Sequence, residues 1–103
     1  MFRLTAVYPA TEGARFDWDY YTTKHFDIIR ESCGPHGLVT ASAQQCVPGP
    51  DGSAPPFVAV AHIDFESAEK FQAAFAAAAP ILMGDIPNFT DIQPVINVGP
   101  IHA

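Results

Sequence analysis

The sequence has few basic residues. Its 103 residues include only five Lys and Arg, scattered along the chain, against 11 Asp and Glu, so the formal net charge is −6. Nucleic-acid binding relies on clustered Lys and Arg that neutralise phosphates, and such a patch is missing here. Charged residues of both signs make up 16% of the chain, whereas about 25% is usual in globular domains. Sharing surface with a second copy reduces the need for charge, so this shortage favours an oligomer.

Long apolar runs, a secretion signal and a cysteine framework are also missing. No apolar run approaches the ~18 residues of a membrane span, and the N-terminal MFRLTAVYPATEG lacks the apolar core of a signal peptide. We therefore expect a cytoplasmic protein with no membrane partner. One pair of cysteines, Cys33 and Cys46, does not make a disulfide scaffold, and both are expected to be free thiols. Without a Gly-rich phosphate loop, a G-x-S-x-G motif or a clustered Cys/His set, neither a cofactor nor a metal is predicted.

Alternation and helical periodicity define a single domain over residues 1–103. Residues 2–8 alternate as a strand, and Asp17 is a good N-cap for a helix over about 17–32. The predicted buried stripe of this helix is Trp18, Tyr21, His25, Ile28 and Ile29.

The second half of the chain repeats the pattern. Residues 37–47 and 57–65 are predicted strands joined by a long hairpin loop, 48–56. Ser67 caps a second helix that Pro80 is expected to end or kink, with another short helical turn in 80–90. Its predicted buried stripe is Ala68, Phe71, Phe75 and Ala78. A last strand is predicted over 91–98, at an edge or a bulge because it contains Pro94.

The order β-α-β-β-α-β predicts an α+β, ferredoxin-like fold, with a four-stranded antiparallel sheet and both helices on one face. The other sheet face is partly apolar, with Val7, Val58, Val60 and Val95. An open apolar face marks an interaction site, so we expect a homodimer formed through this uncovered face.

His25 is the main candidate for chemistry, since it lies in the apolar stripe of the first helix. Small residues beneath it, expected to be Ala6, Thr40 and Ser42, would leave room for a ligand. Tyr8, Tyr21 and Trp18 would shape such a small-molecule pocket, and His25 could move a proton near neutral pH. The alternative is a packed core histidine with one hydrogen bond.

Two further groups of residues could carry chemistry. Asp85, expected in a loop, could orient a catalytic histidine; the alternative is a turn or cap aspartate. His62 and Asp64 lie on one strand face and supply part of a two-His-one-carboxylate iron site. Because no third ligand is brought to them, we expect them to pair with each other or with a dimer mate.

Several segments together resemble the EthD family, the small proteins associated with ethyl tert-butyl ether degradation. They are YP at 8–9, TEGARFDWDYYTTKH at 11–25, GPHGL at 34–38 and FQAAFAAAAPILMGDIPNFTDIQPVI at 71–96. One departure is Asp27, where family members commonly have Pro two residues after the motif histidine. The resemblance implies a dimeric α+β barrel of two ferredoxin-like subunits. It also implies a cleft between helices and sheet, which here would involve Tyr8, Tyr21 and His25.

Three functions follow as hypotheses. The resemblance implies an auxiliary role in small-molecule or xenobiotic catabolism beside an oxidoreductase, a cytochrome P450 system, with a small apolar, oxygen-bearing ligand in the cleft. The second is a cofactor-free enzyme (cyclase, decarboxylase, isomerase or monooxygenase-like) that uses His25 as acid or base, aligned by Asp85. The third is a non-catalytic dimeric scaffold, in which His25 would be packed with no cavity beside it.

Overall fold

Four antiparallel strands form one sheet in a computed structural model that describes residues 1–102. They are β1 (Phe2–Pro9), β2 (Leu38–Gln45), β3 (Phe57–Phe65) and β4 (Val95–Pro100), in the spatial order β2-β3-β1-β4. Hairpin pairing of β2 with β3 and central placement of β1 and β3 give the ferredoxin-like arrangement. The predicted fold class is confirmed.

The first helical segment is not a regular α-helix throughout. It begins as α1 (Trp18–Tyr20), passes through a π-helical turn (Tyr21–His25) and continues as α2 (Phe26–Cys33). Asp17 caps it, since its carboxylate accepts a hydrogen bond from the Tyr20 N–H at 3.1 Å. A 3₁₀ turn, Gly34–His36, follows, and Gly37 then reverses the chain at φ +82°.

The second helix, α3 (Ala68–Asp85), is longer than predicted. Ser67 caps it as expected, by accepting from the Lys70 N–H at 3.1 Å. The expectation that Pro80 ends the helix is wrong, since α3 continues to Asp85. The short helical turn expected within 80–90 is present as a 3₁₀ turn. Pro80 lies on the exposed side, where water can satisfy the carbonyl group that loses its N–H partner. Asp85 is consequently the last residue of α3 and not a loop residue; a 3₁₀ turn, Ile86–Asn88, follows it.

One face of the sheet packs against both helices and forms the core. Its buried members are Leu4, Ala6 and Tyr8 of β1 and Ala59, Ala61, Ile63 and Phe65 of β3. The helices add Tyr21, Phe26, Ile29 and Cys33 on one side and Phe71, Ala74 and Ala78 on the other. Two members of the predicted stripe of α3 are wrong: Ala68 is exposed and Phe75 is 39% exposed.

Two other expectations fail at the sheet. Thr40 and Ser42 are opposite Asp64 and His62, so they lie on the face away from the helices; a bulge between Leu38 and Thr40 shifts the register. The last strand begins at Val95, not at residue 91, because Pro94 cannot donate to the ladder.

The sheet face away from the helices carries Val7 and Val60, both half-buried, and Val95, which is 57% exposed. Asp64 is buried there beneath Arg3 of the neighbouring strand. The Arg3 guanidinium donates to its two carboxylate oxygens at 2.7 and 3.0 Å, and Thr40 adds a bond at 3.2 Å. The expected pairing of Asp64 with His62 is therefore wrong, since Arg3 is its cross-strand partner.

Both cysteines are free thiols, Cys33 buried and Cys46 half-buried. Within residues 1–102, no helix combines the length and the apolar character needed to cross a membrane.

Candidate functional site

A cleft lies between the sheet and the two helices. It contains about 70 Å³ of open space, which corresponds to roughly five water-sized sites. Small side chains account for this room, because Ala6 and Ala61 on the sheet and Ala78 on α3 leave their neighbours apart. Phe75 and Met83 also line it and are 39% and 45% exposed, so they mark its mouth. The other residues of its walls are apolar, mainly Leu4, Ile29, Ile63, Phe71, Leu82 and Ile96.

Three polar side chains enter this apolar space: Tyr8, Tyr21 and His25. The residues themselves are 3%, 1% and 5% exposed. Apart from each other, the hydroxyls of Tyr8 and Tyr21 have no hydrogen-bonding partner among the described residues, and neither does Nε2 of His25. Among residues 1–102, every side-chain nitrogen or oxygen that is fully buried has a hydrogen-bond partner. An atom without a partner is therefore not fully buried. These three atoms are therefore reachable from the cleft and available to a ligand.

The other imidazole nitrogen of His25 faces a carboxylate. Nδ1 lies 2.8 Å from Oδ2 of Asp85, and both side chains are buried. A carboxylate accepts hydrogen bonds, so Nδ1 is the protonated nitrogen and Nε2 carries the lone pair. The pair thus presents a basic nitrogen to the cleft.

Two further donors hold Asp85 in place. The Tyr20 hydroxyl donates to Oδ1 at 2.6 Å, and the Asn88 amide donates to the same oxygen at 2.9 Å. Neither residue was assigned a role from the sequence, although Asn88 follows Asp85 by three residues on a helical turn. One carboxylate oxygen is therefore satisfied by Tyr20 and Asn88, and the other is left for the histidine.

The π-helical turn makes this arrangement possible. In an α-helix, Tyr20 and His25 would diverge by about 140°, because each residue advances the chain by about 100°. Here the Phe26 N–H donates to the Tyr21 carbonyl five residues back, so the turn is widened by one residue. Tyr20 and His25 can then reach the same carboxylate. The widening also turns Phe26 into the core, a position outside the predicted stripe.

Burial determines the ionisation of the tyrosines and the histidine. It raises the pKa of Tyr8 to about 12 and also raises the pKa of Tyr21, so both hydroxyls stay protonated. Burial lowers the pKa of His25 below 6.5, although Asp85 opposes the effect. Burial works against the ionisation of Asp85, but donation by Tyr20, Asn88 and His25 outweighs it and lowers the pKa of Asp85. At neutral pH the pair is neutral imidazole and carboxylate.

The five residues expected in the site divide into three groups. Tyr8, Tyr21 and His25 line the cleft, and Asp85 lies behind His25. Trp18 does not line the cleft; its ring packs edge-on against Tyr21, with ring centres 5.6 Å apart. Trp18 therefore supports the ring of Tyr21, and the ligand-contacting role expected for it stays a prediction. Within residues 1–102, no group of three or more His, Cys, Asp or Glu side chains is arranged to hold a metal ion.

The chain is similar in structure to several solved proteins. An EthD-like protein from Ralstonia eutropha JMP134 has 34% sequence identity and a TM-score of 0.86, over 95% of this chain and 88% of that one. An ethyl tert-butyl ether degradation family protein from Bacillus halodurans C-125 has 20% identity and a TM-score of 0.69, over 99% of both chains. A dimeric ferredoxin-like protein from an uncultured marine organism shares the fold alone, with 9% identity and a TM-score of 0.62, over 100% and 96%.

No curated protein matches the chain in sequence. The model of the EthD domain matches residues 11–93. This range includes Tyr20, Tyr21, His25, Asp85 and Asn88, and both strands β1 and β4 lie outside it. The chain belongs to the EthD family.

Proposed function

We propose that the cleft binds a small, apolar, oxygen-bearing molecule and that His25 transfers a proton to or from it without a cofactor. The observation that carries this proposal is the 2.8 Å contact between His25 Nδ1 and Asp85 Oδ2, together with the opening of Nε2 to the cleft. A packed core histidine needs one acceptor and no cavity. Here a cavity adjoins the ring, which favours an enzyme over a scaffold.

The protonation states support a role as general base. The lowered pKa of His25 keeps the imidazole neutral at pH 7, and the contact with Asp85 holds the proton on Nδ1. Nε2 can then accept a proton from a ligand, while the carboxylate stabilises the imidazolium that forms. Asp85 does not reach the cleft, so it is a positioning residue and His25 is the catalytic one.

The experiment separates ligand binding from folding. Binding of two neutral probes, cyclohexanone and ethyl tert-butyl ether, is measured by saturation-transfer NMR and by the fluorescence of Trp18, the only tryptophan. We expect Ala78→Phe to abolish binding, because Ala78 is 1% exposed and lines the cleft. Ala77→Phe, on the exposed side of the same helix, is the matched control and should bind normally.

Because Ala78→Phe overfills a packed site, Ala78→Val is measured beside it, with thermal unfolding of each variant. Equal binding by the wild type and a folded Ala78→Phe variant would refute the cleft as the ligand site. His25→Asn, with His36→Asn as the control outside the cleft, tests the base. Unchanged stability with lost proton transfer supports the proposal, and a large loss of stability without a functional effect supports a core histidine.

The auxiliary role beside a cytochrome P450 system, implied by the family resemblance, stays a prediction, as does the cytoplasmic location. Turnover by the purified protein alone would show that it acts by itself. Turnover only after an oxidoreductase system is added would favour the auxiliary role.

We also propose that the uncovered sheet face packs against a second copy. Its valines are Val7, Val60 and Val95, the last of which is 57% exposed, and a neighbour of the same fold is described as dimeric. Val95→Glu should shift the protein towards monomer in sedimentation velocity. Val47→Glu, at a residue that is 68% exposed outside the strands, is the control. A monomeric wild type at 100 micromolar or so would refute the proposal, since a dissociation constant above that level gives only weak association.

A further inference from the structure

We propose that Tyr8 and Tyr21 form a pair of hydroxyl donors for a ligand oxyanion, and that the substrate is a small neutral ketone or ester with an acidic hydrogen on its α-carbon. This inference rests on the proposed function and names its substrate class. It is drawn from the charge of the cleft, the placement of the two hydroxyls and the direction of the base.

The lining of the cleft excludes charged ligands. Within the described residues, no Lys, Arg, Asp or Glu side chain lines it, and its only titratable base is the neutral His25. Nearby, Asp85 holds a negative charge behind the ring. An anionic carboxylate or phosphate would lose its hydration without gaining a counter-charge, which is costly in an apolar site. The substrate that fits is neutral.

The two tyrosines keep their O–H groups at neutral pH. Because both stay protonated, each has one O–H to donate, and their hydroxyls adjoin each other in the cleft. Their rings meet edge to face, with centres 5.7 Å apart. The Tyr21 hydroxyl faces the Tyr8 oxygen as a donor, and the Tyr8 O–H has no other acceptor among residues 1–102. A ligand oxygen placed between them accepts from Tyr8 directly and from Tyr21 once its O–H turns from Tyr8 to the ligand.

The base lies next to these donors. The rings of Tyr21 and His25, four residues apart on the same helix, are nearly parallel, with centres 5.6 Å apart and an angle of 18°. A ligand oxygen on the hydroxyl pair therefore places the adjoining carbon towards Nε2. A carbonyl group and its α-carbon have this relation, because the carbon that carries the acidic hydrogen lies one bond beyond the C=O bond.

The reaction step balances without a co-reactant. Nε2 of His25 takes the α-proton, so the C–H bond breaks and the N–H bond forms. The electron pair of the C–H bond forms a C=C bond, and the C=O electrons move to oxygen, giving an enolate that accepts from Tyr8 and Tyr21. When the proton on Nε2 exchanges with solvent, delivery of the solvent-derived proton to the same carbon gives hydrogen exchange. Delivery of a proton to another position of a conjugated system gives an isomer. Donors aimed at a developing oxyanion contribute about 10²–10³-fold each.

The test measures α-hydrogen exchange in cyclohexanone. The ketone is incubated with the protein in D₂O at pD 7.5, and loss of the α-proton signal is followed by ¹H NMR. We expect exchange faster than in buffer, exchange at the buffer rate with His25→Asn, and a decrease of about 10²–10³-fold in Tyr8→Phe and Tyr21→Phe. The decrease should be in kcat more than in KM, because an enolate accepts more strongly than a ketone.

Ser53→Ala is the control, since it removes an exposed hydroxyl in the hairpin loop 48–56, outside the lining of the cleft. It should leave the exchange unchanged. Cyclohexanecarboxylate, an anion of similar size, should not bind at pH 7.5, and its binding as tightly as cyclohexanone would overturn the neutral substrate class.

The other outcomes separate this inference from the proposed function. Exchange that depends on His25 but not on Tyr8 or Tyr21 would overturn the hydroxyl pair and leave the base in place. Cyclohexanone that binds in the cleft but exchanges at the buffer rate would overturn the substrate class and leave the binding site. Absence of binding by all probes, in wild type and Ala78→Phe alike, would overturn both.

Discussion

Replacement of Asp85 by Asn should invert the tautomer of His25. In the native protein, Oδ1 of Asp85 accepts from Tyr20 and Asn88, and Oδ2 accepts from Nδ1 of His25. An amide has a single oxygen, and the two fixed donors will hold it. The introduced NH₂ group then faces Nδ1, which must become an acceptor, so the imidazole proton moves to Nε2.

The effect on proton transfer follows from this inversion. Nε2, the nitrogen open to the cleft, would carry a hydrogen and no lone pair, and the imidazolium would lose its carboxylate. A comparable change from Asp to Asn in a Ser-His-Asp triad lowers kcat by about 10⁴-fold through the wrong tautomer. Removal of the α-proton also depends on the lone pair of Nε2, although no nucleophilic serine takes part here. We therefore expect a decrease of about 10²–10⁴-fold in the exchange rate of cyclohexanone. Folding should change little, because the amide keeps three hydrogen-bonding partners.

Two measurements check this prediction. Nitrogen-15 NMR of the imidazole reports which nitrogen carries the proton, and it needs no substrate; the native protein should show Nδ1–H and the Asp85→Asn variant Nε2–H. Thermal unfolding shows whether the variant is folded. Asp91→Asn, at an exposed carboxylate away from His25, is the control. A folded Asp85→Asn variant that keeps Nδ1–H and full exchange would refute the reasoning.

Three further predictions follow from the structure. The free energy of unfolding should fall as the pH drops below about 6.5, because the folded protein binds a proton at His25 more weakly than the unfolded chain does. Thermal melts at pH 5.5 and 7.5 check this, and His25→Asn should show a smaller fall between the two. Tyr20→Phe should raise the pKa of His25, because the Asp85 carboxylate then has one hydrogen-bond donor fewer. The acidic limb of the pH profile of cyclohexanone exchange should move to higher pH. An unmoved limb would contradict the role of Tyr20 in holding Asp85. Gly37→Ala should lower the free energy of unfolding by about 1–2 kcal/mol, because φ is +82° and a Cβ there would be 2.9 Å from Cβ of Lys70. Gly34→Ala is the control, since a Cβ at Gly34 would meet open space. Denaturant unfolding measures both variants.

The hydrophobic periodicity of the sequence predicts the order of strands and helices but not local features such as the bulge in β2. The alternation of β1 and β3 and the capping residues Asp17 and Ser67 are readable in the sequence, and they suffice for the ferredoxin-like fold. β2 is harder, because it has small residues on both faces: Thr40 and Ser42 alternate with Ala41 and Ala43. Its hydrophobic pattern does not select a face, and the bulge after Leu38 decides it.

The site shows a similar division. Tyr8, Tyr21 and His25 could be named from one helix stripe and one strand end, and Asp85 from its chemistry. Tyr20 could not be connected to Asp85 by an α-helical period, because the π-helical turn is invisible to a fixed angle of 100° per residue. The contact between His25 and Asp85 joins residues 60 positions apart, and only the packing of α3 against the first helical segment brings them together.

The cost of the site is the strongest argument that it has a function. A buried carboxylate contributes little to stability compared with an apolar side chain of the same size, and a π-helical turn interrupts the regular α-helical hydrogen bonds. Both features serve one imidazole, since the π turn brings Tyr20 to the oxygen of Asp85 that His25 does not use. A histidine needed only for packing would be satisfied by a single main-chain carbonyl, at lower cost. Costly features that converge on one side chain, whose free nitrogen faces a cleft, are typical of functional sites.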